Sequence, residues 1–97
     1  MSDVGGHKLV EMECCRLPQQ VAIGFIQATE ALVDARYLPV LYVGSQLVHG
    51  TNHILICKQT LAVKAAPEHL VTMVLNQNHE VGSAVGQWSV VSIEQII

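Results

Sequence analysis

Apolar and polar positions change period twice along the chain. Residues 8–14 alternate, with Val10, Met12 and Cys14 on one side and Glu11 and Glu13 on the other, which predicts a strand. Pro18 then stands where a helix can begin, because its fixed φ suits the first turn. Across residues 19–36 the apolar positions recur every three or four, at Val21, Phe25, Ala28, Leu32 and Ala35, flanked by Ala22 and Ile26. That stripe predicts one long helix packed on a sheet. Gly24 inside it costs about 1 kcal/mol relative to alanine, and close approach of a strand would explain its presence.

From Leu38 the period falls to two. Strands are predicted near residues 38–48, 51–63, 69–76 and 87–96, divided by Ala65-Ala66-Pro67, by residues 76–80 and by residues 82–86. Pro39 has no amide proton to give a ladder, so the first of these begins irregularly or at an edge. A strand, a helix and four closely spaced strands joined by antiparallel hairpins make an α+β fold. Apolar residues occupy both strand faces: Leu38, Val40 and Tyr42 alternate with Leu41, Val43 and Leu47, and Trp88 and Val90 with Val91 and Ile93. One helix covers one face only. The other predicts a scaffold or interaction protein that self-associates, as a homodimer or a strand-exchanged dimer.

Composition sharpens this picture. Ninety-seven residues suit one domain, 1–97, with residues 1–6 as a flexible arm around Gly5 and Gly6. The chain is 51% hydrophobic and 13% charged, against about 25% charged in an average soluble domain, so part of its surface is expected to meet another protein. The net charge is -3, and Lys8, Arg16, Arg36, Lys58 and Lys64 are scattered, which speaks against nucleic acid. Apolar runs fall short of the roughly 18 residues a membrane span needs, and the start lacks a signal-peptide pattern. Cys14, Cys15 and Cys57 are an odd, unevenly spaced set, as expected of a reducing, cytoplasmic compartment.

The candidate site is Gln46, Leu47, Val48, His49 and Gly50, followed by Thr51, Asn52 and His53. Gly50 allows a tight turn, Leu47 and Val48 offer apolar contacts, and Gln46 and Asn52 can brace the turn. A plain hairpin accounts for the same residues. His49 and His53 stand about 13 Å apart on an extended strand, too far to share a metal even with His79 as a third ligand, so neither metal nor cofactor is expected. Cys57 and His53 are equally separated, no nucleophile-base pattern or phosphate loop occurs, and the acidic residues form no pair, so the chain is not expected to be an enzyme. Cys57 looks like a sheet cysteine and Cys14-Cys15 like small buried filler, while His7 and His69 are expected in solvent.

The spacing of Gln46, Val48, Gly50 and Asn52, with a glycine near the amino terminus and a helix before the motif, resembles the cystatin family, in particular its intracellular stefin branch. The likeness runs from about residue 5 to residue 95 and rests on element order outside the central motif. It implies a long helix wrapped by a five-stranded antiparallel sheet, and a reversible inhibitor of papain-like cysteine proteases. In such a protein an amino-terminal arm and two hairpin loops form a wedge that blocks the protease cleft. The resemblance places Gly5 or Gly6 in the arm, Gln46, Leu47, Val48, His49 and Gly50 in the first loop, and Asn76, Gln77, Asn78 and His79 in the second. That second loop has neither the Pro-Trp pair of secreted cystatins nor the Leu-Pro-His run of stefins.

Overall fold

Backbone pairing organises the chain into a four-stranded antiparallel meander with one helix on one face. The structure, a computed structural model, describes residues 9–79 and 86–97. The elements are α1 (Gln19–Thr29), β1 (Ala35–Val48), β2 (Gly50–Leu61), β3 (Glu68–Asn78) and β4 (Gln87–Gln95), and the strands lie in sequence order. Among the described residues no helix is long and apolar enough to cross a membrane.

Two elements differ from the sequence expectation. The helix has 11 residues and ends at Thr29, where the Thr29 hydroxyl donates to the Phe25 carbonyl oxygen at 2.7 Å. Ala35 and Arg36, predicted helical, instead pair with Leu61 and Thr60 of β2, and beside them the Gln59 side chain donates to the Tyr37 hydroxyl at 3.0 Å. Helix propensity is a weak preference that ladder bonds of this kind override. The sheet likewise has four strands rather than five, because residues 9–15 do not join it as a strand. Their one backbone bond to β1 runs from the Cys15 amide to the Pro39 carbonyl, at 2.9 Å. Beyond it the edge of β1 is broken by shifts in register between Pro39 and Leu41 and between Tyr42 and Gly44, so an evenly spaced fifth strand finds no continuous row of partners. Val10 and Cys14 are accordingly exposed.

Strict alternation in the middle strands builds the core. His53, Leu55 and Cys57 of β2 and Val71, Met73, Leu75 and Gln77 of β3 are buried on the helix side, where Leu55 lies opposite Met73 and Cys57 opposite Val71. The helix adds Val21 and Gly24, with Phe25 and Ala28 packed at the margin. Gly24 sits against the indole of Trp88, where even a Cβ would overlap the ring. The close approach of a strand that this glycine suggested is therefore present, and Trp88 supplies it. Pro39 lies within an edge strand, buried opposite Cys57. Cys57 is wholly buried, whereas Cys14 is exposed and Cys15 half-buried, so that pair is not core filler. His69 is half-buried on β3 rather than fully in solvent.

Candidate functional site

Antiparallel pairing brings the turn between β1 and β2 to the same end of the sheet as the carboxyl end of β3. His49 alone separates the two strands. Gly50 follows with φ +87°, in the left-handed region that a side chain disfavours, and a Cβ there would collide with the Gln77 carbonyl oxygen. The close packing of turn on strand thus depends on glycine. Three hydrogen bonds fix it: the Asn76 amide donates to the His49 carbonyl at 3.1 Å and to Asn52 Oδ1 at 2.9 Å, and Thr51 Oγ1 and His79 Nε2 lie 2.9 Å apart.

The tip that these bonds hold is apolar and open. Leu47 is 85% exposed and Val48 45% exposed, and Gln46 and His49 are exposed beside them. No Asp, Glu, Lys or Arg occurs between Arg36 and Lys58. A surface of this kind is suited to insertion into an apolar cleft rather than to charge pairing.

Of the residues expected in the second loop, Asn76, Gln77 and Asn78 belong to strand β3 instead and only His79 follows it; Asn76 and His79 bond to the turn, with His79 exposed. Gln77 faces the other way and is buried, so it supports the tip from beneath. Gly5 and Gly6 lie outside the described residues. The described chain starts at Leu9, whose amide donates to Glu68 Oε1 at 2.9 Å, and Glu68 opens β3 at the end of the sheet away from His49.

Beneath the tip runs a group that the sequence did not single out. His53 lies 2.9 Å from the Tyr42 hydroxyl through Nδ1 and 3.0 Å from Gln77 Oε1 through Nε2. A carbonyl oxygen only accepts, so Nε2 carries the proton and Nδ1 accepts from Tyr42. The imidazole also stacks on Trp88, with ring centroids 4.7 Å apart. Gly24 packs against that indole, and Gln27 Oε1 accepts from the Trp88 amide at 3.2 Å. The row Tyr42, His53, Gln77 and Trp88 therefore ties all four strands to the helix just below the tip. Its sequence signal was parity: His53 shares its strand face with Leu55 and Cys57.

The remaining chemistry lies elsewhere. Burial pushes the Cys57 thiol up to about 12, so it stays a neutral core group. Desolvation, aided by neighbouring Cys14, raises Cys15 as well. A depression of about 320 Å³ lined by Arg36, Tyr37, Leu38, Lys58 and Thr60 lies toward the opposite end of the sheet. Among the described residues no three His, Cys, Asp or Glu side chains are grouped to hold a metal. Comparison with protein-family models, curated proteins and solved structures finds no match.

Proposed function

We propose that this chain is a reversible inhibitor of papain-like cysteine proteases that works by occupying the active-site cleft. The observation that carries the proposal is the braced tip: Leu47 and Val48 project from a turn held against β3 by Asn76 and by the Thr51–His79 contact. The spacing of Gln46, Val48, Gly50 and Asn52, which resembles that of cystatins, directs the choice of target class.

Binding needs only shape and apolar contact. Burying Leu47 and Val48 contributes on the order of 1.5–3 kcal/mol each, and a turn already fixed by hydrogen bonds loses little entropy on insertion. The inhibitor brings no nucleophile to the cleft; it excludes substrate by volume. Action in the cytoplasm accords with three free cysteines.

Papain activity measured against a titration of purified protein tests the proposal. The wild-type chain inhibits, and Leu47→Asp together with Val48→Asp weakens inhibition at least about a hundredfold while the fold is retained. Absence of inhibition by folded wild-type protein across a set of papain-like enzymes rejects it.

A further inference from the structure

The edge of β1 near the tip has the makings of a second interface. Among the described residues, the segment before the helix meets this edge through the backbone bond from Cys15 to Pro39. Among the described residues, no backbone hydrogen bond outside the β1–β2 ladder reaches residues 43–48. Protein edges are ordinarily guarded by charge, proline or a bulge. Here the last register shift ends at Gly44, and no charged residue or proline lies between it and the turn.

Five residues of this edge are complementary to themselves. In order they are Gly44, Ser45, Gln46, Leu47 and Val48: two small, one amide, two large. An antiparallel pair related by a two-fold axis through Gln46 sets Gly44 opposite Val48 and Ser45 opposite Leu47, so each large side chain meets a small one on the same face. The space is available, because a Cβ placed on Gly44 would have no neighbour within 4 Å. On the axis the two Gln46 amides can exchange hydrogen bonds, each having a donor and an acceptor. The ladder ends where each copy turns at His49, short of the segment that Cys15 covers. The edge asks for a strand, and its residue order specifies which one.

We propose that two copies of this chain associate reversibly by antiparallel pairing of residues 44–48 about Gln46. The interface is small, below about 1,200 Å², and the dimer is weak and transient. Because pairing covers Leu47 and Val48, the dimer cannot insert its tip. This consequence rests on the inhibitor reading, while the association itself does not.

Sedimentation equilibrium from about 10 μM to about 1 mM tests the pairing directly. Wild type shifts from monomer toward dimer across that range. Ser45→Lys sets two like charges diagonally across the axis on one face of the ladder and raises the dissociation constant about fivefold, whereas Val91→Lys on β4 leaves it unchanged. Trp88 emission reports that each variant is folded. A wild type that stays monomeric throughout overturns the proposal, as does Ser45→Lys that associates like wild type or Val91→Lys that dissociates as Ser45→Lys should. Protease inhibition by monomeric Ser45→Lys is read separately, so failure of the inhibitor reading and failure of the pairing are distinct results.

Discussion

Replacing Gly24 with alanine sets a local preference against a tertiary contact. In an isolated helix the change stabilises by about 1 kcal/mol. Here the added methyl overlaps the six-membered ring of Trp88, a side chain only 6% exposed that also stacks on His53. Displacing it against the stack costs about 1–3 kcal/mol, as overpacking usually does, and expelling it forfeits about 5 kcal/mol from roughly 200 Å² of buried ring. The net expectation is a loss of about 2 kcal/mol, which for a chain of this size lowers the melting temperature by roughly 10 °C. Urea denaturation followed by far-ultraviolet circular dichroism measures the loss. Trp88 is the only tryptophan in the chain, so its emission reports the displacement as a red shift. Ile23→Ala, at a 45% exposed position one residue away, is the control and changes stability by less than about 0.5 kcal/mol. In a Trp88→Leu background the sign reverses and Gly24→Ala becomes stabilising. Gly24→Ala protein as stable as wild type, with unshifted emission, would refute the helix–indole contact.

Other consequences follow from the same geometry. Gly50→Ala costs about 2–3 kcal/mol in urea denaturation, since it combines a left-handed φ with a clash at the Gln77 carbonyl, and wild-type stability in that variant would contradict the turn described. His53→Leu removes the bonds to Tyr42 and Gln77 and the stack on Trp88, lowering stability by about 2–4 kcal/mol and weakening inhibition without touching the tip surface; an unchanged inhibition constant would show that this row does not position the tip. Cys57, raised to about 12 in the fold, ionises near 9 once unfolded. Its contribution to stability is therefore complete below pH 9 and is lost as the pH rises from about 9 toward 12. Cys57→Ala should flatten that decline in denaturation curves, and an identical decline would count against a buried neutral thiol. In the native chain thiol alkylation reaches Cys14 quickly and Cys57 only on unfolding, as mass analysis of the labelled peptides will show.

Much of this arrangement was legible in the sequence, and the exceptions share a cause. Pro18 announced the helix start, the period-two segments gave the four sheet strands their places, and Gly24 announced a close neighbour. The helix end was hidden because residues 35–37 are held by residues 59–61, more than twenty positions away. A propensity that favours continuation is overruled by partners it cannot see. The same holds for residues 9–15: their alternation is that of a strand, but the edge they approach is interrupted at Pro39 and Tyr42. At the candidate site the tight turn at His49 and Gly50 was legible because a turn carries its instructions locally, whereas Gln46, Leu47 and Val48 belong to β1 rather than to a loop. Asn52 was expected to brace the turn and does so, but the partners were not legible: Asn76, Thr51 and His79 act through bonds between residues 24 to 28 apart, and the role of His53 depends on three other strands meeting it.

The most direct test of the account is titration of a papain-like protease with wild-type protein and with the Leu47→Asp, Val48→Asp double variant, both held well below the dimerisation range. The account predicts dose-dependent, reversible loss of protease activity with wild type and at least about a hundredfold weaker loss with the variant. Full protease activity in the presence of folded wild-type protein, or equal inhibition by the two chains, contradicts it.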